Sequence, residues 1–297
     1  MSSIKTFFSL IKTPIKMVEP LGKRKIFNWM PDAMYLKLIY RARLGETLNL
    51  KNPRTFNEKI QWLKIKDHNP EYVEWVDKIK AKEKVAELLG SEMIVPTIGV
   101  WKDAKDINFS ELPSKCVLKC SHDQGSTIIY TKDTDKSSII KYFNKRLKRN
   151  PYPGTREWPY KNIEPRILCE PFLDEDIIDY KFFCFNGKVQ MINIGQKNSN
   201  THITHVTFLD KGWTKMSFQR SDFLPVNHLP EKPKKFEKLL EVAEKIAEGT
   251  SFVRVDFYYI DNKIYFSEYT LYPTSGFIKF EPKEGDRILG NLLQIKL

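Results

Sequence analysis

The sequence predicts an α+β fold, with helices near the N-terminus and antiparallel β-hairpins in the rest of the chain. Residues 1–70 carry apolar side chains at helical spacing. Two turn signals follow further on, Asn186-Gly187 and Asp261-Asn262, each between runs of alternating polarity. The 297 residues, 41% of them hydrophobic, suffice for one large domain or for two to three lobes with substantial cores.

Helix boundaries are marked by capping and stop residues. An amphipathic pattern over residues 33–43 stops at Gly45. Thr55 then precedes a helix with Glu58 three residues later, which is the spacing of a capping box. One further helical stretch is predicted over residues 71–89. Later helices are predicted over residues 137–149 and 233–248.

Strands are predicted from apolar and alternating runs bounded by turn residues. They cover residues 94–101, 116–120, 127–131, 166–173, 179–185, 189–194, 204–209, 252–260 and 263–271. Residues 155–161 are predicted to form a mobile loop whose side chains could contact a substrate, with a surface linker around a buried Trp158 as the alternative. The four cysteines lie inside strand-like runs without zinc spacing, so we expect buried free thiols in a reducing cytosol. They are Cys116, Cys120, Cys169 and Cys184.

The charge balance is basic, with 49 Lys and Arg against 37 Asp and Glu and a net charge of +12. This favours an anionic partner, which could be a nucleotide, a nucleic acid, an acidic polymer or a membrane surface. No apolar run is long enough to cross a bilayer, and the N-terminus lacks the pattern of a secretory signal. A short basic helix there could lie on an anionic membrane or pack on the protein itself. Its apolar face would consist of Phe7, Phe8, Leu10, Ile11 and Ile15.

Two acids in the last predicted hairpin form a candidate metal site. Asp256 lies in the first strand and Glu268 in the second, so pairing of the strands could direct both carboxylates from one sheet face. Mg²⁺ bound to phosphates takes its few protein ligands from Asp or Glu. Arg254 shares the face of Asp256 and could hold phosphate charge. A solvated charged face on an amphipathic hairpin remains the alternative.

A second candidate segment is CVLKCSHDQGSTIIYT, residues 116–131. It reads as a strand containing Lys119, a polar loop with Gly125, and another strand. Backbone N–H groups of such a loop can surround phosphate oxygens, and a glycine permits close approach. The segment lacks the spacing of a Walker A loop. An ordinary turn is the alternative.

Together these segments resemble the ATP-grasp superfamily, and within it the branch named for teichuronopeptide and polysaccharide biosynthesis. The matching text, in order, is VDKIKAKEKV, VLKCSHDQGS, GTREWPYK, RILCEPFL, DYKFFCFNGK, RVDFYYIDNKIYFSEYTLYP and Ser275-Gly276. The resemblance covers about residues 30–295 and implies two α+β lobes that clasp ATP. It divides the chain into a helical extension at residues 1–70, an N-terminal part at 71–111, a central lid lobe at 112–166 and a C-terminal lobe at 167–297.

The resemblance also implies roles for individual residues. The implied nucleotide contacts are Lys78, Lys119, His122, Asp123, Gln124, Gly125, Ser126, Glu170, Pro171, Phe172, Leu173, Asp179 and Lys181. Among them, Glu170 would accept from the adenine amino group. Asp256 and Glu268 would bind Mg²⁺, and Thr270 stands where many members place an asparagine ligand. The implied catalytic residues are Arg254, Lys119 and Lys181, with Arg254 stabilising the developing phosphate charge.

The chemistry implied by the resemblance is ADP-forming ligation of a carboxylate to an amine through an acyl phosphate. The expected acceptor is a uronic-acid saccharide or polysaccharide precursor, and an amino acid is the expected amine. We expect a cytoplasmic protein that could act at the inner face of the membrane. A basic group near one loop suits an acidic acceptor, or is simply a basic surface. The group consists of Arg146, Lys148, Arg149, Arg156 and Lys161.

Two other functions remain open from the sequence. The segment Asp174-Glu175-Asp176 matches the pattern with which glycosyltransferases bind the metal of a nucleotide sugar. Variants of its two aspartates, compared with variants of Asp256 and Glu268, would separate this function from ligation. The net positive charge also suits a nucleic-acid-binding module, but no recognised nucleic-acid motif is present and we expect none to bind.

Overall fold

The computed structural model describes residues 14–175, 177–197 and 204–296. Its helices are α1 (Val18–Lys23), α2 (Asp32–Leu44), α3 (Phe56–Lys66), α4 (Tyr72–Val76), α5 (Lys78–Leu89), α6 (Lys136–Leu147), α7 (Tyr152–Thr155), α8 (Phe236–Ile246) and α9 (Glu284–Leu292). Its strands are β1 (Gly99–Trp101), β2 (Lys115–Cys120), β3 (Ile128–Thr131), β4 (Ile167–Pro171), β5 (Asp179–Phe185), β6 (Lys188–Lys197), β7 (Thr204–Leu209), β8 (Gln219–Arg220), β9 (Phe252–Ile260), β10 (Lys263–Thr270) and β11 (Phe280–Glu281). The predicted membrane-facing residues Phe7, Phe8, Leu10 and Ile11, and Asp176 of the acidic pattern, lie outside the described residues.

The larger sheet is antiparallel, with the strand order β10-β9-β5-β6-β7. Asn186 and Gly187 connect β5 to β6, with φ values of 49° and 78°. Asp261 and Asn262 connect β9 to β10, with φ values of 49° and 59°. Two consecutive left-handed residues match the twist of a hairpin, so both predicted turns are confirmed. The apolar face of α8 is buried against β5 and β6 in the main core.

The smaller sheet has the order β1-β4-β2-β3 and packs against α6. Its core includes Ile139 and Phe143 from the helix and Leu118 from β2. The four cysteines are buried and free, as predicted. Strand β4 pairs with β2 in this sheet, although the sequence-based division places residues 167–297 in the following lobe. The domain boundaries themselves stay a prediction.

The N-terminal helices join the C-terminal part of the chain. Thr55 and Glu58 form the predicted capping box at the start of α3. Within α3, the Asn57 side chain donates to Asp286 of α9 and to the Ile278 backbone oxygen. Helix α2 buries Tyr35 and its neighbours in a separate small core. The helical extension is therefore packed against the body that carries the larger sheet.

Three sequence predictions are wrong in detail. The stretch 71–89 is broken at Asp77, whose side chain accepts from the Ile79 N–H and begins α5. The strand over 94–101 is reduced to Gly99–Trp101. The loop predicted over residues 155–161 is instead partly helical, with a 3₁₀-helix over Trp158–Asn162, and its Arg156 is only 2% exposed. No helix among the described residues is long and apolar enough to cross a bilayer.

Arg156 is buried because its side chain contacts the N-terminal helices. Its guanidinium donates to the Phe27 backbone oxygen at 2.6 Å and lies 4.4 Å from the centre of the Tyr35 ring. Asp32 of α2 forms an ion pair with it at 3.2 Å. Arg156 therefore holds α7 against the N-terminal helices and is not available to an acceptor.

Candidate active site

Five polar side chains lie on one face of the larger sheet. In the strand register Asp256 of β9 faces Glu268 of β10, and Arg254 faces Thr270. On the other side of β9, Lys181 of β5 is opposite Asp256. Directly paired residues in antiparallel strands share a sheet face, so these side chains converge on one cavity. The sequence prediction that both acids share a face is confirmed.

The pairing of Glu268 with Asp256 depends on a β-bulge. Phe266 pairs with Phe257, and the next pair is Glu268 with Asp256, so Ser267 is the extra residue. In an unbroken ladder Ser267 would face Asp256, and Glu268 would turn towards the core side. Bulges of this kind re-aim side chains next to active sites. Here the bulge brings the second carboxylate into the cavity.

Cations surround the two carboxylates. The Arg254 guanidinium donates to both oxygens of Asp256, at 2.7 and 2.6 Å, and to the Thr270 hydroxyl at 3.1 Å. The Lys78 ammonium lies 3.2 Å from Glu268. Burial raises the pKa of Glu268, but Lys78, Arg254 and Lys181 outweigh it and lower that pKa to about 2. Glu268 is therefore ionised at neutral pH.

The pKa of Asp256 shifts in the opposite direction to that of Glu268, although cations surround both carboxylates. Asp256 is 2% exposed, and burial raises its pKa by more than Arg254 and Lys181 lower it. For Lys181, burial is outweighed by Asp256 and Asp179, which raise the pKa of the ammonium. Its nitrogen lies 2.8 Å from Asp179 and 3.6 Å from Asp256. The face thus holds two acids and several cations at close range, which is typical of a binding site for a charged ligand.

The loop after β2 is held by its carbonyl groups. Lys78 donates to the Asp123 oxygen at 2.7 Å, Arg146 to the Gln124 oxygen at 2.5 Å and Tyr142 to the Gly125 oxygen at 3.3 Å. Among the described residues, the backbone N–H groups of 122–126 have no protein acceptor. Unpaired N–H groups beside a polar cavity are suited to phosphate oxygens. The loop can therefore bind an anion through its backbone.

Two loop residues do not offer their side chains to the cavity. His122 is 2% exposed and absent from the lining, and burial lowers its pKa. The Ser126 hydroxyl accepts from the Cys120 N–H at 2.9 Å and so closes the loop. The sequence predicts that both residues belong to the phosphate loop. His122 could contact a phosphate only through its backbone, whereas Ser126 lines an edge of the cavity. Their nucleotide contacts stay a prediction.

Two cavities meet at Lys119. The polar one, of about 220 Å³, is lined by Lys78, Lys119, Asp123, Gln124, Gly125, Ser126, Thr127, Asp179, Lys181, Arg254, Asp256, Tyr258, Ser267, Glu268, Thr270 and Thr274. The more apolar one, of about 410 Å³, is lined by Val95, Val117, Lys119, Thr127, Ile129, Glu170, Pro171, Phe172, Leu173, Asp174, Glu175, Ile177 and Tyr258. The structure therefore brings together nearly all of the residues predicted to bind nucleotide. An apolar compartment continuous with a cationic one suits a molecule with a flat ring at one end and phosphates at the other.

Glu170 lies between two lysines. Its carboxylate oxygens are 2.7 Å from the Lys82 ammonium and 2.6 Å from that of Lys119. Burial raises the pKa of Glu170, but the two lysines outweigh it and the pKa is lowered overall. The carboxylate thus orients Lys119 at the junction of the two cavities. Acceptance of a hydrogen bond from adenine by Glu170 stays a prediction.

The donor set near Glu268 fits a hard dication. Asp256 and Glu268 supply carboxylate oxygens on adjoining strands, and no group of three or more His, Cys, Asp or Glu side chains that could hold a metal occurs among the described residues. Two carboxylates completed by phosphate oxygens and water are what Mg²⁺ uses in nucleotide sites. Thr270 offers only a neutral hydroxyl, which here accepts from Arg254. Its role as a third ligand stays a prediction.

Sequence reasoning missed several residues of the site. Lys82 is not singled out by any motif in the sequence, yet it is 4% exposed and forms an ion pair with Glu170. Its spacing of four residues from Lys78 places both lysines on one face of α5, and that spacing could have revealed it. Thr127, Tyr258 and Ser267 line the cavities without any motif that marks them.

A buried lysine of α3 supports the far wall of the site. Lys64 donates to the backbone and side-chain oxygens of Ser275, each at 2.8 Å, and to the Thr155 backbone oxygen at 2.9 Å. Thr274 and Ser275 have φ values of 51° and 57°, which are strained for residues with a side chain. Lys64 therefore holds this left-handed segment in place.

Comparisons with known proteins found several similar solved structures and one matching family model. Solved structures similar to this chain include the L-amino acid ligase from Bacillus licheniformis, at 10% identity and a TM-score of 0.49, over 90% of this chain and 63% of that one. The D-alanine-D-alanine ligase from Helicobacter pylori matches at 13% identity and a TM-score of 0.43, over 80% and 69% of the two chains. The D-alanine-D-alanine ligase from Bacillus anthracis, complexed with ATP, matches at 18% identity and a TM-score of 0.40, over 67% of this chain and 55% of that one.

The chain thus spans about half to two thirds of the length of these ligases. No match was found among curated proteins. The family model described as TupA-like ATPgrasp matches residues 58–294, which include both cavities, the loop after β2 and the bulged hairpin. The chain belongs to the TupA-like ATP-grasp family.

Proposed function

We propose that the protein is an ATP-dependent ligase that joins a carboxylate to an amine with release of ADP and phosphate. The observation that carries this proposal is the pairing of Asp256 with Glu268 beneath the anion-binding loop, with Arg254, Lys78 and Lys181 around them. Two carboxylates among cations suit a metal-bound triphosphate. Family membership supports the same nucleotide.

The two cavities suggest how ATP is oriented. The adenine ring fits the apolar compartment, beside Pro171, Phe172 and Leu173. The phosphates fit the polar compartment, where Lys119 stands at its entrance. Asp179 lines the polar compartment and is suited to a ribose hydroxyl. The backbone N–H groups of residues 122–126 would then cover the phosphates.

The chemistry follows from the charges of the site. The acceptor carboxylate attacks the γ-phosphorus, the bond to the β-phosphate oxygen breaks, and ADP departs with that electron pair. Arg254 and Lys181 would stabilise the charge on the transferring group, and Lys78 and Lys119 would hold the triphosphate. An amine then attacks the acyl carbon, loses a proton and displaces phosphate. Mg²⁺ held by Asp256 and Glu268 would neutralise phosphate charge.

No nucleophilic side chain is needed for this reaction, because positioning and positive charge supply the catalysis. The acyl phosphate must be kept from water, and the small lobe above the larger sheet can exclude it. The acceptor class we propose is a uronic-acid saccharide of cell-surface polysaccharide biosynthesis, with an amino acid as the amine. We further propose that the reaction occurs in the cytoplasm, at the inner face of an anionic membrane.

The test is a screen of purified protein with Mg²⁺-ATP, uronic-acid oligosaccharides and single amino acids, monitored by ADP and phosphate release. We expect release that requires both the saccharide and the amine. Lys119→Ala and Glu268→Ala should abolish it, whereas Lys263→Ala, an exposed change on the same strand as Glu268, should not. Turnover by Glu268→Ala equal to that of wild type would refute the assignment.

The same assay distinguishes the proposed ligase from a nucleotide-sugar transferase. Asp174, the aspartate of the acidic pattern that the structure describes, lines the apolar cavity, so glycosyl transfer stays the alternative function. Loss of activity in Asp174→Asn with full activity in Asp256→Asn would favour glycosyl transfer.

A further inference from the structure

A third cavity, the acceptor chamber, adjoins the polar cavity on the side of the N-terminal helices. Its volume is about 640 Å³, and its lining includes Asp123, Gln124 and Thr274, which also line the polar cavity. The other walls come from α1, α2, the C-terminal end of α6, α7 and the segment after β10. The chamber is therefore continuous with the place where phosphates would lie.

The lining of the chamber carries more positive than negative charge. Its cations are Lys23, Lys25, Arg43, Arg146, Lys148 and Arg149, and its acids are Glu19, Asp123 and Glu157. Glu19 is engaged by Arg43 and Lys23, and Asp123 by Arg146. Burial raises the pKa of Glu157, which favours its neutral form.

Three cations at the chamber wall have no such partner. Lys25, Lys148 and Arg149 are exposed and form no ion pair with a carboxylate among the described residues. Lys148 and Arg149 directly follow the end of α6, and Lys25 comes from the segment after α1. Cations that reach one cavity from two separate segments of the chain are suited to a ligand that carries several separated anionic groups.

Resting on the ligase function proposed above, we propose that the acceptor chamber binds an acidic oligosaccharide of more than one uronic-acid unit. One carboxylate would lie at the junction near Thr274 and Gln124, where it meets the γ-phosphate. Further carboxylates would be recognised by Lys25, Lys148 and Arg149. The specificity of the enzyme then resides in charges about one sugar or more away from the reacting carboxylate.

The size and the apolar part of the lining favour the same ligand class. A volume of 640 Å³ lies in the range of about 300–1,000 Å³ that holds drug-sized ligands, which leaves room for more than a single sugar. Tyr160, Phe277 and Pro151 supply flat apolar surface among the charges. Such mixed walls suit sugar rings, which have apolar faces and polar edges.

The experiment measures binding of saccharides to the full chain by calorimetry, with trigalacturonate, galacturonate and neutral maltotriose as probes. Wild type should bind trigalacturonate more tightly than galacturonate and should not bind maltotriose. The double variant Lys148→Ala and Arg149→Ala should weaken trigalacturonate binding about tenfold, since two charge-assisted contacts are lost. The matched control is Lys145→Ala, which removes an exposed cation in the last turn of α6 that does not line the chamber.

Each outcome is decisive. Equal affinity of the double variant and wild type for trigalacturonate would overturn the proposal, as would binding of the monosaccharide as tightly as the trisaccharide. ATP binding and ADP release are measured on the same proteins. Charge-dependent trigalacturonate binding without any ATP turnover would refute the proposed ligase function and support the proposed acceptor chamber. Equal ATP turnover with small acids in wild type and in the double variant would refute the proposed acceptor chamber and leave the proposed ligase function intact.

Discussion

Replacement of Glu170 by glutamine tests the buried cluster at the junction of the two cavities. Glu170 bridges Lys82 and Lys119 at 2.7 and 2.6 Å, and the three side chains are 5–12% exposed. Glutamine keeps the shape but leaves two buried ammonium groups without a counter-charge. Breaking a buried pair in this way costs roughly 3–5 kcal/mol, and we expect about 3 kcal/mol because glutamine retains one hydrogen bond. A domain with about 5–15 kcal/mol of stability would remain folded.

The assay is urea unfolding of wild type and Glu170→Gln, together with ATP binding. The loss of orientation of Lys119 should weaken ATP binding about tenfold. The lysines hold the pKa of Glu170 below its usual 4.5, so the stability difference is present above that pH and shrinks as the pH falls further.

The matched control is the double variant Lys82→Met and Glu170→Gln. The double variant leaves one ammonium unpaired rather than two. Its loss of unfolding free energy should therefore be smaller than the sum of the losses in the two single variants. A Glu170→Gln protein within about 0.5 kcal/mol of wild type would refute the reasoning, since that is the range of ordinary surface changes.

Three further predictions concern residues outside the motifs. Burial lowers the pKa of Lys64 to about 7, so wild type should gain stability from pH 7 towards 10, by at most about 1.4 kcal/mol per pH unit. Lys64→Met should lack that rise in urea titrations, and a parallel rise would contradict it. Arg156→Met should destabilise the chain by about 2 kcal/mol in the same titrations with no change in acceptor KM; a raised KM at unchanged stability would contradict it. Deletion of Ser267 should preserve Mg²⁺-dependent ATP binding in calorimetry, because removal of the extra residue leaves Glu268 opposite Asp256 in a regular ladder; loss of binding in a folded variant would contradict the view that the pairing of the two acids is what the bulge provides.

Local sequence signals predicted the elements that depend on local chemistry. The capping box at Thr55 and the turns at Asn186-Gly187 and Asp261-Asn262 are set by side chains and φ preferences within a few residues. The strands around them follow from alternation. These features were therefore accessible without tertiary information.

The features that sequence reasoning missed depend on distant partners. Asp77 begins a new helix as its N-cap, and its second carboxylate oxygen accepts from Arg166, 89 residues away. Arg156 looked like a loop residue, but its partners lie in the N-terminal helices. The bulge at Ser267 cannot be read from alternation, since a regular hairpin would place serine opposite Asp256. Long-range packing decided each case.

The central claim is that Asp256 and Glu268 together hold a divalent cation only when a triphosphate is present. Its most direct test is electron paramagnetic resonance of Mn²⁺, used in place of Mg²⁺, titrated with the protein in the presence and absence of a non-hydrolysable ATP analogue. We predict tight binding with the analogue, weak binding without it, and loss of binding in Asp256→Asn and in Glu268→Gln. Undiminished Mn²⁺ binding by both variants in the presence of the analogue would contradict the claim.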